Sequence, residues 1–244
     1  MDRVEIPADV TCVLTSCGRW DLLVHSIDTF LAYNRPGRFI VVEDSGDEAF
    51  AARIRERYPA LEVVLNNPRV GQHRSIDKAY GMVTTPWIVH LEDDWHFTGP
   101  LALDAARKVL DADPTVIAVV FSEFQRLKLR HRIWGTSYVH DGRRYGDLRR
   151  AHREWYGFSF YPTLLRRRVW EEHGPYAKFQ NERAISKYMK SKGLGNVHAL
   201  PGVGVHVGSG RSVFDPARAG EKRRVTGALW RRLLGRATFA PTKE

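Results

Sequence analysis

The sequence predicts an α/β protein built on a mostly parallel sheet with helices packed on both faces. Three observations lead there. Short apolar runs rich in Val and Ile alternate with segments whose apolar residues recur at helical spacing, the order required by parallel strands joined through crossover helices. Each apolar run ends in polar or acidic residues, as expected where strand ends border a ligand crevice. A chain of 244 residues can bury one substantial core, so one large domain with at most a small extension is expected.

The elements follow in order. VTCVLT (10–15) reads as a strand, ended by the turn residues Ser16, Cys17 and Gly18. Residues 20–33 place Leu22, Leu23, Ile27, Phe30 and Leu31 at helical period, and 34–37 stop that helix. FIVV (39–42) is the second strand, running into Glu43, Asp44, Ser45 and Gly46. A helix from about 48 to 58 is closed by Pro59, and EVVL (62–65) is the third strand. Gly71 opens a helix reaching about Met82. WIVHL (87–91) then runs straight into Glu92-Asp93-Asp94. Residues 101–110 are helical, VIAVVF (116–121) is another strand, and 126–156 read as loops with short elements. Thr15-Ser16, Glu43-Asp44, Asn66-Asn67 and the acidic triplet therefore end successive strands, and a parallel sheet would gather them around one crevice.

Composition excludes several classes. No apolar run is long enough to span a bilayer, and residues 1–10 lack the apolar core of a signal peptide. The two cysteines, Cys12 and Cys17, are five apart, a spacing that suits neither a zinc site nor a disulfide framework; reduced thiols in a cytoplasmic protein are expected. Charge is unevenly spread. Residues 1–122 hold 12 Lys and Arg against 18 Asp and Glu, and 123–244 hold 26 against 10, so the net +10 is composed of −6 and +16. The basic half is expected to meet something anionic: nucleic acid, a membrane surface or a phosphorylated acceptor.

Three adjacent carboxylates after a buried strand repel one another and raise each other's pKa. A divalent cation resolves that conflict, because Mg²⁺ and Mn²⁺ prefer carboxylate oxygens and bridge to substrate phosphates. The plain alternative is a solvated acidic turn.

Taken together, VTCVLTSCGRWDLLVHSIDTFL, FIVVEDSGD and VGQHRSIDKAYGMVTTPWIVHLEDDW resemble the nucleotide-binding half of the GT-A glycosyltransferases, most closely glycosyltransferase family 2. A weaker match continues through GFSFYPTLLRRRVWEEHGPY, NERAISKYMKSKG and GVGVHVGSGRS. The resemblance implies a Rossmann-like sheet, a nucleotide-diphospho-sugar donor, Mn²⁺ or Mg²⁺, and transfer to a hydroxyl acceptor, usually with inversion. It implies one GT-A domain over 1–221, with a donor half to about 122 and an acceptor half from 123, followed by a basic segment at 222–244. Residue by residue, it implies that Thr15, Ser16 and Arg19 form the first donor loop. Asp44 would meet the base or ribose, and Gly71, Gln72, Arg74 and Ser75 would lie along the nucleotide. Glu92-Asp93-Asp94 matches the DxD motif, with Asp94 and Glu92 on the metal and Asp93 nearest the ribose and diphosphate. His206 would complete the metal shell, although a core histidine on a glycine-rich strand explains it equally. Arg211 would pair with the diphosphate. Glu182, at a helix start that Asn181 can cap, is the expected general base. Its alternative is a capping Glu without chemistry, and Glu154 is the runner-up base.

On the acceptor side, Trp155, Tyr156, Phe158, Phe160 and Tyr161 form either a wall for the acceptor or part of the core. The 222–244 segment carries Lys222, Arg223, Arg224, Arg231, Arg232 and Arg236 beside Val225, Leu229, Trp230, Leu233 and Leu234. That pattern reads as a membrane-surface helix, as a helix packed back on the domain, or as a holder of nucleic-acid phosphates. The expected acceptor is therefore a glycan or lipid-linked saccharide at the inner membrane face, with a hydroxylated nucleic-acid base, or a non-catalytic nucleic-acid module, as the alternative.

Overall fold

A computed structural model describes residues 3–123 and 133–209, together with Arg211 and Val213. The chain divides into Met1–Ser209 and Gly210–Glu244. The expected basic segment at 222–244 lies outside the described residues.

Within Met1–Ser209 the chain forms a mixed α/β fold on a large central sheet. The elements of its first half are β1 (Val4–Glu5), β2 (Val10–Ser16), α1 (Trp20–Tyr33), β3 (Asn34–Arg35), β4 (Phe39–Glu43), α2 (Glu48–Arg57), β5 (Glu62–Leu65), α3 (Gln72–Met82), β6 (Trp87–Glu92), β7 (Trp95–Phe97), α4 (Leu103–Ala112) and β8 (Val116–Val120). The second half adds β9 (Thr136–His140), β10 (Arg143–Asp147), β11 (Thr163–Arg166), α5 (Arg167–His173), α6 (Glu182–Ser191), β12 (Gly195–Leu200) and β13 (Gly204–His206). Nine strands form the main sheet in the order β5-β4-β2-β6-β11-β8-β12-β10-β9. The β5-β4-β2-β6 half is wholly parallel. β11 then enters antiparallel to both β6 and β8, β12 runs parallel to β8, and the β9–β10 hairpin extends the edge.

The strands alternate between two cores, which explains the two helical layers. Cys12, Leu14, Val41, Val89 and Leu91 face a cluster with Leu23, Ile27 and Phe30 of α1, Ile54 of α2 and Val109 of α4. Their neighbours Val13, Ile40, Val42 and Ile88 face the other side, against Ile76 and Tyr80 of α3 and Ile185 and Met189 of α6. This period of two along each strand decides which side of the sheet each residue at a strand end addresses.

The elements read from the sequence in the first half agree within one or two residues at each boundary, and the short strands β1, β3 and β7 are additions to them. The second half differs in kind. Part of 126–156, read as irregular, is the β9–β10 hairpin of the main sheet, and Tyr138 stacks on Tyr145 within it (ring centroids 5.8 Å apart). Residues 124–132 lie outside the described residues.

Candidate active site

The parallel register brings the strand ends together. Thr15 lies opposite Glu92, Ser16 opposite Glu43, and Glu43 opposite Leu65. Ser16, Glu43-Asp44, Asn66 and the acidic triplet therefore border one sheet edge, on the carboxyl side expected for a ligand crevice.

Alternation along β6 places Glu92, and the turn that follows carries Asp93 and Asp94 away from it. Glu92 shares the face of Ile88 and His90, which α3 and α6 cover. There its Oε1 accepts from the Gln72 amide at the start of α3 (2.7 Å). Burial raises its pKa well above the carboxylate range, with repulsion from Asp94, Glu182 and Asp93 adding to it. Asp93 is buried on the opposite side, where Arg19 at the entry to α1 reaches it. Arg19 donates Nε–H to Asp93 Oδ2 (3.1 Å) and Nη2–H to Asp93 Oδ1, and Nη2 also reaches Asp94 Oδ2 (3.1 Å). Burial pushes Asp93 up to about 6 even against the pull of that guanidinium.

Asp94 is the last residue of the turn into β7. β7 pairs with β13, which sets His206 opposite Trp95, and Ser26 of α1 pins the ribbon through both the N–H and the C=O of Trp95 (2.8 Å each). His206 Nε2 consequently lies 3.4 Å from Asp94 Oδ2. Against burial, which would raise it, His206 and Arg19 hold Asp94 below the usual carboxylate range. Asp94 Oδ1 is buried and has no hydrogen-bond partner. Gly208 closes over this side chain: a Cβ there would stand 2.5 Å from Asp94 Cβ and Oδ2.

Among the described residues, no three His, Cys, Asp or Glu side chains are arranged as a metal cluster. Asp94 and His206 still fit a hard or borderline cation. They offer one O and one N donor side by side, with a buried carboxylate oxygen unused, and Mg²⁺ or Mn²⁺ is commonly held by one or two protein ligands plus phosphate oxygens and water. Glu92 is turned to Gln72 and the α6 side instead of toward His206.

Glu182 is the first residue of α6. The cap is made by Asn181, whose Oδ1 accepts from Ala184 N–H (2.9 Å), so the Glu182 carboxyl has another use. The Ser159 hydroxyl and the Phe160 N–H favour its charged form, yet burial outweighs both and pushes its pKa up to about 7. Glu182 lies close enough to Glu92 and to the Tyr161 hydroxyl for its charge to raise both. Glu154, by contrast, is paired with Arg183 and with Lys187 (3.5 Å). Those bonds hold it below the carboxylate range against the effect of burial.

The remaining donor-loop residues divide into scaffold and surface. Thr15, Ser16 and Ser75 are buried, and Ser75 bonds to Asn66 and the Gly71 carbonyl (2.9 Å each). Asp44 is 3 % exposed. Its Oδ1 accepts from Asn66 Nδ2 (2.9 Å) and Val70 N–H (2.8 Å), and its Oδ2 from Gly71 N–H (2.8 Å). That geometry turns Asp44 inward to fix the loop before α3, where the sequence reading has it facing base or ribose. Gln72 and Arg74 are exposed. Arg211, also exposed, belongs to the Gly210–Glu244 unit.

Sequence reasoning set Glu43 at the crevice without a role and missed Arg69. Glu43 is fully buried and accepts from Ser16 Oγ, Gly18 N–H (2.9 Å) and Ser45 N–H (2.8 Å), tying two strand ends together. Arg69 Nε stands 3.5 Å from Asp44 Oδ2. The signal for Glu43 was an acid ending a fully apolar strand, which needs local donors to be tolerated there. Of the aromatic cluster, Phe158 and Phe160 are core, whereas Tyr161 is 37 % exposed and packs on Trp95 beside the site (5.0 Å).

No protein-family model matches the sequence, and no curated protein matches it. Among solved structures, the fold is similar to mannosyltransferase PcManGT from Pyrobaculum calidifontis, in complex with GDP-Man and Mn²⁺. The TM-score is 0.57 at 20% identity over 96% of this chain, which spans 66% of the length of that structure. At that identity the likeness concerns the fold, a Rossmann-like sheet shared with a sugar-nucleotide enzyme.

Proposed function

We propose that this chain is a metal-dependent glycosyltransferase that moves a sugar from a nucleotide-diphospho-sugar to a hydroxyl acceptor with inversion. One juxtaposition carries the reading. Glu182, from the far half of the chain, lies close enough to Glu92 at the end of β6 for its charge to act on that carboxyl. A carboxyl titrating near 7 suits a general base at neutral pH. The GDP-Man and Mn²⁺ bound to the structural neighbour support donor and metal of those classes here.

In this mechanism the acceptor hydroxyl docks against Glu182, which takes its proton as the oxygen attacks the anomeric carbon. The bond from that carbon to the diphosphate oxygen breaks, and the electron pair leaves with the diphosphate. Asp94 and His206 would hold the divalent ion, whose contribution when bound is to neutralise the leaving diphosphate. Glu43 and Asp44 keep the β2 and β4 ends and the loop before α3 in place, so Gln72 and Arg74 lie along the donor. Tyr161 offers an aromatic face to the acceptor. Inversion is the outcome of a single attack, with Glu182 as the base, on the side opposite the leaving group.

The acceptor is proposed to be anionic. Some of the basic excess is neutralised internally, since Arg149 pairs with Asp113 (3.3 Å) and Asp147 (2.8 Å), and Arg166 pairs with Asp111. Arg143, Arg144, Arg150 and Arg153 remain exposed. No helix among the described residues is long and apolar enough to cross a membrane. The test of the donor reading is a thermal-shift screen of nucleotide-sugars with and without Mn²⁺. Stabilisation by one class only when metal is present supports it, and no stabilisation by any of them refutes it. Retention on anionic vesicles, against steeply salt-dependent binding of duplex DNA, separates a membrane-associated saccharide from a nucleic-acid acceptor.

A further inference from the structure

We infer that Arg19 is a resident counter-cation that weakens metal binding until a diphosphate arrives, making the divalent ion and the nucleotide bind interdependently. The inference rests on the reading of Asp94 and His206 as the metal's protein ligands. Its basis is the geometry of one side chain. Arg19 leaves the β2–α1 turn, places both Nε and Nη2 on Asp93, and extends Nη2 to Asp94 Oδ2 (3.1 Å). That same oxygen faces His206 Nε2 at 3.4 Å. The guanidinium is therefore already on the carboxylate that a cation would use, in a pocket where its own side chain is only 16 % exposed.

A divalent ion taking Asp94 as ligand would share that carboxylate with a fixed positive charge at close range and in poor solvent, where like charges repel strongly. Asp93 cannot relieve the conflict, because its two oxygens are already engaged by the fork. A diphosphate can. It brings negative charge between the two cations, and the planar guanidinium matches phosphate oxygens as well as it matches a carboxylate. Each ligand thus removes an obstacle to the other. Linkage requires the coupling to be reciprocal, and couplings of this kind commonly amount to about 5–150-fold in affinity. The consequence is an enzyme that does not hold free metal tightly and forms its metal site together with the donor.

The experiment uses the full chain, with Mn²⁺ and GDP as probes. Free Mn²⁺ is read by electron paramagnetic resonance, so no turnover is needed. The wild type is expected to bind Mn²⁺ weakly alone and at least about tenfold more tightly with saturating GDP, within the usual coupling range. Arg19→Met should bind Mn²⁺ alone at least tenfold more tightly than wild type, and GDP should then add less than threefold. Arg19→Gln, which keeps amide donors for Asp93 without the charge, should behave the same way if Arg19→Met does not fold. Arg38→Gln, which removes a half-buried cation paired with Glu62, should leave Mn²⁺ affinity unchanged. Unchanged or weaker Mn²⁺ binding in the folded neutral variants overturns the inference, as does equal tightening by Arg38→Gln. The metal reading fails separately: if Asp94→Ala in the Arg19→Met background binds Mn²⁺ as well as Arg19→Met alone, the ion is not at Asp94.

Discussion

Replacing Glu182 by Gln should stabilise the protein at alkaline pH while abolishing transfer, and the size of the stabilisation can be worked out. Burial raises the Glu182 pKa from the ordinary 4.5 to about 7. The folded state thus favours the neutral acid. The associated stability is complete below pH 4.5 and is lost as pH rises through 7. At about 1.36 kcal/mol per pKa unit, the loss is roughly 3 kcal/mol in all, and most of it develops between pH 5 and pH 8.5. Glutamine keeps the size and an acceptor oxygen but carries no charge to desolvate. The advantage of Glu182→Gln over wild type should therefore grow by about 5–10 °C in Tm across that interval, at about 2–4 °C per kcal/mol for a chain of this size. The raised pKa of Asp93 is common to both proteins and cancels in the difference. Relief of repulsion on Glu92 acts in the same direction. Thermal melts of both proteins at half-unit pH steps suffice, without a substrate. In parallel, kcat/KM on an identified acceptor should fall by about 10²–10⁴-fold while nucleoside diphosphate affinity stays within twofold. A Tm difference that is flat across pH refutes the buried, charged base.

Other perturbations test the rest of the site. Asp94→Ala should remove the Mn²⁺ dependence of nucleoside diphosphate binding, as read by calorimetry with and without chelator; undiminished metal dependence places the ion elsewhere. Gly208→Ala puts a methyl group 2.5 Å from the Asp94 carboxylate and should displace it, costing about 10–100-fold in metal affinity with a change in Tm of only a few degrees. Equal metal affinity would show that Asp94 is free to move. Asp44→Asn turns an amide donor toward Gly71 N–H or Val70 N–H and leaves one of them without an acceptor, at a cost of about 1–3 kcal/mol. Denaturant unfolding should show that loss, and a stability equal to wild type would mean the loop does not depend on Asp44.

The first half of the fold was legible because each element there is a local statement. β2, β4, β5 and β6 are apolar runs with turn chemistry at their ends, and α1 and α3 carry their apolar stripe at helical period. The second half depends on pairing between distant segments. β11 is only Thr163–Arg166, followed directly by α5, and it acquires its place by inserting antiparallel between β6 and β8. Nothing within TLLR announces that partner. β10 reads RRYGD and is exposed at its first two residues, so its strand state comes from β9 and β12 rather than from propensity. The site divides in the same way. The carboxylates stood out as a run, whereas their separation comes from Glu92 ending β6 and Asp93 and Asp94 forming the turn after it. The engagement of Asp44 by Val70 and Gly71 is a backbone contact that no pattern of side chains reveals.

The electrostatics of the site amount to a stability cost held in place by the rest of the fold. Glu92, Asp93 and Glu182 are all raised by burial, so each would ionise more easily in the unfolded chain. Of the three, only Asp93 has a cationic partner in a described contact, Arg19. Glu92 and Glu182 instead lie near enough for their charges to interact, with Gln72 donating to Glu92 and the polar groups of Ser159 and Phe160 favouring the charge of Glu182. A fold selected only for stability would replace one of that pair by an apolar residue, because a buried charge without a counter-ion is costly. Keeping both is economical only if charge is delivered to the crevice from outside. A diphosphate brings negative charge and its cation brings positive charge, and a hydroxyl proton taken up by Glu182 removes its charge at the moment of reaction. Bound metal and nucleotide together should therefore lower the apparent pKa of Glu182 relative to the free enzyme. The profile of kcat should then rise at lower pH than that of kcat/KM, and coincident profiles would place the cation too far from Glu182 for their charges to interact.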